Sequence, residues 1–94
     1  MNKIEVYSKE GCHLCDRVIT GLHKLKNERI FEISIRDITA DPELFERYKN
    51  MIPVLVINGK VKLAGTMLAN PNTLEDILRK AVFSMNMDFE QQSD

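Results

Sequence analysis

The stretch Tyr7-Ser8-Lys9-Glu10-Gly11-Cys12-His13-Leu14-Cys15 decides how this chain is read. An apolar run ends near Tyr7, Gly11 permits a turn, and a helical pattern begins at Cys12. The segment therefore reads as a strand, a tight turn and a helix N-terminus carrying both cysteines of the chain in a C-x-x-C spacing.

A thiol becomes a nucleophile only after losing its proton. The first turn of a helix offers unpaired backbone N–H groups and the positive end of the macrodipole to the resulting thiolate. Cys12 stands at that end. Helix N-termini and C-x-x-C motifs bring a thiol from about 8.5 to between roughly 3.5 and 7.5. Cys15, one turn further in, lies on the same helical face within reach of the first sulfur. Cys12 is thus expected to attack and Cys15 to resolve. A zinc pair is the competing reading, but His13 and His23 do not supply the ligand spacing of a finger, and no metal site is expected.

Working outward, residues 3–7 form a short strand. The first helix is predicted from about Cys12 to Lys26, with Leu14, Cys15, Val18, Ile19, Leu22 and Leu25 as its apolar stripe. Gly21 falls inside that helix, and close packing against the sheet accounts for it. Residues 30–36 alternate, with Phe31, Ile33 and Ile35 on one face and Glu32, Ser34 and Arg36 on the other, as in an edge strand. Asp41-Pro42-Glu43 supplies an N-cap, a proline in the first turn and an acid for a helix to about Lys49, buried through Leu44, Phe45 and Tyr48.

Val54–Ile57 is apolar without alternation, the pattern of a strand covered on both faces, and Asn58-Gly59 marks a two-residue hairpin returning as Lys60–Ala64. Thr73-Leu74-Glu75-Asp76 resembles a capping box and opens a last helix with the stripe Leu74, Ile77, Leu78, Ala81, Val82 and Met85. The predicted order is β-α-β-α-β-β-α in one domain over residues 1–85, with 86–94 as a polar, flexible tail. Glu5 fits its strand poorly unless helix cover on one face is incomplete.

Ninety-four residues suffice for one core, and 44% hydrophobic content argues for a folded globule. A net charge of −1 offers no basic field for nucleic acid. No apolar run approaches the ~20 residues needed to span a bilayer, and the first residues show no apolar signal core. Cytoplasmic localisation is expected, with no membrane partner. A lone cysteine pair in such a chain suits redox chemistry better than a disulfide framework.

At Tyr7, Ser8, Lys9, Gly11, Cys12 and Cys15, followed downstream by Ile52-Pro53, the Val54–Ile57 strand and Asn58-Gly59, the sequence resembles the thioredoxin superfamily and most of all its glutaredoxin-like proteins. The likeness covers about residues 3–85. It implies an α/β thioredoxin-like fold, a four-stranded mixed sheet flanked by three helices. It also implies a cis proline at Pro53 lying against the dithiol, with Ile52 offering its backbone to substrate, and a Lys9 that meets a glutathione carboxylate. Gly65-Thr66 falls where the family carries a Gly-Gly turn and a following acid for glutathione, but the acid is missing.

His13 replaces the usual proline or tyrosine inside the motif, as a cation for the neighbouring thiolate or as an idle surface group. Thioredoxin proper fits less well, because Gly11 stands in place of its tryptophan and Val6 in place of its buried aspartate. The resemblance implies a thiol–disulfide oxidoreductase with a redox-active disulfide and an electron-transport role. It would reduce disulfide-containing or glutathionylated proteins, with no tightly bound cofactor, glutathione as co-substrate, and recharging by glutathione or a dedicated reductase. A monomer is expected. The alternative it leaves open is a glutathione-assisted iron–sulfur cluster carrier.

Overall fold

The computed structural model describes the backbone of residues 2–93 and the side chains of residues 2–84. Four strands, β1 (Lys3–Ser8), β2 (Glu32–Asp37), β3 (Val54–Ile57) and β4 (Lys60–Ala64), form one sheet in the order β2-β1-β3-β4. Three helices, α1 (His13–Leu25), α2 (Pro42–Tyr48) and α3 (Leu74–Ser93), accompany it. β1 runs parallel to β2 and antiparallel to β3, and β3 is antiparallel to β4. The predicted element order is the observed one, with two short 3₁₀ turns added at Ile38–Ala40 and Gly65–Leu68.

One face of the sheet carries the main core. Ile4, Val6, Leu55 and Ile57 meet Val18, Leu22 and Leu25 of α1 and Leu74, Leu78, Ala81 and Val82 of α3. Gly21 is explained by helix packing: an added Cβ would stand 2.8 Å from Leu78 Cδ1, so α3, and not the sheet, excludes a side chain there. Farther along, the Arg29 guanidinium lies 4.2 Å over the Phe83 ring and Arg79 pairs with Glu28, tying the end of α1 to α3. On the opposite face α2 packs its Tyr48 ring 5.1 Å from that of Tyr7. Incomplete cover on that side lets Glu5 occupy a central strand, where it pairs with Arg36 at 3.7 Å.

Asp41 caps α2 as its sequence indicated, accepting from the Glu43 and Leu44 N–H groups at 3.0 and 3.3 Å. Asn58 and Gly59 take positive φ values of 50° and 86°, as a tight hairpin with this strand twist requires. Three details go beyond the sequence reading. Ile35 is 51% exposed although Phe31 is buried on the same side of this edge strand. α3 begins at Leu74, directly after Thr73 as the sequence indicated, and the Thr73 hydroxyl donates to Asn70 O at 3.4 Å in the preceding turn. The segment from residue 86, expected as a tail, continues α3 to Ser93; the predicted burial of Met85 and the last residue of the chain lie outside the described residues.

Candidate dithiol site

The turn after β1 brings Cys12 to the N-cap of α1. Its N–H donates to Lys9 O at 3.3 Å, and Gly11 supplies the positive φ of 84° that lets the chain reverse there. The Cys12 backbone is extended, and its sulfur accepts the Cys15 N–H at 3.2 Å. One of the orphan donors of the helix start is thereby aimed at the sulfur that must carry negative charge. Cys12 and Cys15 are joined in a disulfide, their Cα atoms 5.2 Å apart. Cys12 remains partly exposed and Cys15 is fully buried. One sulfur is open to a substrate and the other is reached only through it.

The second part of the site comes from the start of β3. The Ile52–Pro53 peptide is cis, Ile52 is half-buried and Pro53 buried. The β1–β3 register sets Tyr7 opposite Val54, which places Pro53 beside Ser8, where the chain leaves for the dithiol turn. The end of β4 closes the group: Gly65 N–H donates to Pro53 O at 2.9 Å. Gly65 has φ 51°, and a Cβ on it would lie 3.2 Å from Met51 O.

Of the residues singled out in the sequence, Cys12, Cys15 and Lys9 thus belong to one turn, and Ile52, Pro53 and Gly65 to one bonded group beside it. Lys9, His13 and Thr66 are solvent-exposed around these two parts. Val6 is fully buried between Ile35 and Leu55, so its place in the strand holds an apolar group. Two residues escaped the sequence reading: Met51, 40% exposed, and Met67, 56% exposed, on the segments that carry Pro53 and Gly65. Their signal was weak but present, since both are apolar residues outside every helical or strand stripe.

Tyr7, at the end of β1, has its phenol pKa raised above 10.0, first by burial and then by Glu5. Asp37, at the matching end of β2, is held below 3.8 by hydrogen bonds from the Thr39 hydroxyl and N–H.

A family profile described as Glutaredoxin-like domain (DUF836) matches residues 3–90. The chain belongs to this glutaredoxin-like family. Among solved structures, protein Ne2328 from Nitrosomonas europaea is 31% identical, with a TM-score of 0.63 over 69% of this chain and 79% of that one. A mutant thioredoxin from Halobacterium salinarum is 15% identical, with a TM-score of 0.56 over 86% of this chain and 74% of that one. Mitochondrial thioredoxin 3 from Saccharomyces cerevisiae, in its oxidised form, is 16% identical, with a TM-score of 0.55 over 84% and 77%.

No curated protein matches the chain. The two thioredoxin likenesses show the thioredoxin-like fold that the sequence implied. A glutaredoxin-like chain on that fold, with a Cys12–Cys15 disulfide, supports a redox function for its thiols. No helix among the described residues is long and apolar enough to cross a membrane.

Proposed function

We propose that this glutaredoxin-like protein is a thiol–disulfide oxidoreductase that reduces protein disulfides or glutathione-mixed disulfides in the cytoplasm. The observation that carries the reading is the asymmetry of the dithiol: Cys12 is partly exposed and bonded to the Cys15 N–H, while Cys15 is buried behind it. In the reduced protein, the Cys12 thiolate attacks one sulfur of a substrate disulfide, forming a mixed disulfide and releasing the first substrate thiolate, which takes a proton from water. Cys15 then gives up its proton, its sulfur displaces the second substrate thiolate from Cys12, and the Cys12–Cys15 disulfide forms. Two electrons pass from the dithiol to the substrate. Two glutathione thiols, oxidised to their disulfide, or a dedicated reductase return them.

Sulfur exchange needs a near-linear array of three sulfurs and no deep pocket. The open turn at Cys12, with the Ile52 backbone and Lys9 beside it, suits an extended peptide or a glutathionyl group. The missing acid after Gly65-Thr66 argues for modest glutathione affinity. The test is a disulfide-reduction assay: Cys12→Ser loses turnover, whereas Cys15→Ser accumulates a mixed disulfide on Cys12. Wild-type turnover by Cys12→Ser overturns the reading.

A further inference from the structure

The sheet has two edges, and the chain treats them differently. β4 carries Lys60 and Lys62, and its register against β3 is interrupted opposite Leu55 and Val56, devices that discourage further strand pairing. β2 has no lysine and no proline, and its six residues pair with β1 in unbroken register. It also leaves Ile35 51% exposed and is preceded by Ile30 at 80% exposure. We propose that the β2 edge is a self-association surface, on which a second copy of this chain pairs antiparallel about a two-fold axis through Ser34.

The occupant follows from the strand's own sequence. Glu32-Ile33-Ser34-Ile35-Arg36 is self-complementary on reversal: with Ser34 opposite Ser34 of the second copy, each Glu32 faces an Arg36 and each Ile33 faces an Ile35. The backbone is set for this register. Glu32 N–H donates inward to Asn2 O, so the alternation of a strand turns the N–H and C=O groups of Ile33 and Ile35 outward to the free edge. Those are the residues that exchange paired hydrogen bonds in an antiparallel ladder whose central Ser34 pair is not hydrogen-bonded.

Arg36 is already held on its face by Glu5 and Asp41, both at 3.7 Å and only partly buried, and its guanidinium fork has donors to spare for a further carboxylate. Glu32 is exposed. The isoleucine pairs extend the apolar strip on the side of α1 and α3, covering Ile35 against a partly buried Ile33. A dimer built this way is an eight-stranded sheet. Both Pro53 loops stay free, since they belong to β3. The sequence led us to expect a monomer, but that expectation took no account of the edge register. The pairing stands whether or not the dithiol turns over.

Sedimentation of the protein from micromolar to millimolar concentration, under a reductant to prevent intermolecular disulfides, tests the proposal. A reversible monomer–dimer equilibrium is expected. Glu32→Arg sets like charges opposite each other at two symmetric positions and weakens the dimer by about tenfold or more. Arg36→Glu does the same, and an equimolar mixture of the two variants forms heterodimers, because every facing pair is again of opposite charge. Should Arg36→Glu not fold, judged by circular dichroism, Ile35→Lys is the second variant and must also give a monomer. A wild-type monomer at every concentration, a dimer indifferent to Glu32→Arg and Ile35→Lys, or folded charge variants that do not associate when mixed overturns the proposal.

Discussion

Replacing Gly65 with alanine separates two costs that the structure assigns to one position. The residue has φ 51°, a left-handed conformation in which an L side chain costs about 1–2 kcal/mol. The new Cβ would also lie 3.2 Å from Met51 O, close enough that the carbonyl preceding the Ile52–Pro53 peptide must give way. Overpacking of this kind adds about 1–3 kcal/mol. Gly59→Ala is the control: its φ is 86°, yet an added Cβ meets nothing within 4 Å, so only the conformational cost applies. Urea unfolding should therefore show a loss of about 1–2 kcal/mol for Gly59→Ala and about 2–5 kcal/mol for Gly65→Ala. At concentrations where both remain folded, disulfide exchange at Cys12 should slow for Gly65→Ala and stay unchanged for Gly59→Ala, because only the former displaces the loop beside the dithiol. Equal stability losses with equal exchange rates would refute the claim that Gly65 is required by its contact with Met51.

Leu78→Ala should cost about 2–5 kcal/mol as a cavity in the fully buried core. In that background Gly21→Ala should stabilise by up to about 1 kcal/mol, since the methyl no longer meets Leu78 Cδ1 and the helix gains propensity; additive unfolding free energies for the pair would contradict the packing account. Asp41→Ala should lose about 0.5–2 kcal/mol with the cap of α2, read by thermal denaturation. Asp37 has a folded pKa below 3.8, so its contribution is present above that pH and is lost as pH falls through the folded value; Asp37→Asn should flatten the acid limb of stability against pH. Tyr7 has a folded pKa above 10.0, so its contribution is present below that pH and is lost as pH rises through the folded value; Tyr7→Phe should flatten the alkaline limb.

Local signals were legible in the sequence. The turn at Gly11, the cap at Asp41 and the hairpin at Asn58-Gly59 each rest on one residue type whose backbone preference acts over a few neighbours, and each is present. Periodicity likewise gave the α1 stripe, of which Cys15, Val18, Leu22 and Leu25 are fully or nearly fully buried. The errors arise where a distant element decides. The sequence points to the sheet as the partner of Gly21 because the periodicity of α1 says nothing of which element covers each face, and α3 is fifty-odd residues away. Ile35 alternates as read and lies 51% exposed on an edge strand, its degree of exposure being a tertiary property that alternation does not carry. For the site, the cysteine pair was visible as a motif, the places of Pro53 and Gly65 each came through resemblance, and the bond between them is seen only in the fold. Met51 and Met67 were missed because an apolar residue lying outside every stripe is only a weak sign of an exposed side chain.

Strand direction explains why three separate segments meet at the dithiol. Because β1 and β2 are parallel, the chain must cross over between them, and the crossover helix α1 starts at the carboxyl end of β1. β3 is antiparallel to β1 and so begins at that same end, which brings Pro53 beside Ser8; β4 returns antiparallel to β3 and ends there, which brings Gly65 to Pro53 O. The convergence therefore needs no special contact at the dithiol itself. What the dithiol does need is a helix that cannot roll, since a rotation of α1 against the sheet would carry Cys15 out of its buried place and change which sulfur faces solvent. The core supplies this by burying Val18 and Leu22 against the sheet cluster and by leaving no room for a side chain between Gly21 and Leu78. The orientation of the reactive turn, and with it the difference in exposure between the two sulfurs, is thus set at a distance, by the fit of one helix between the sheet and α3.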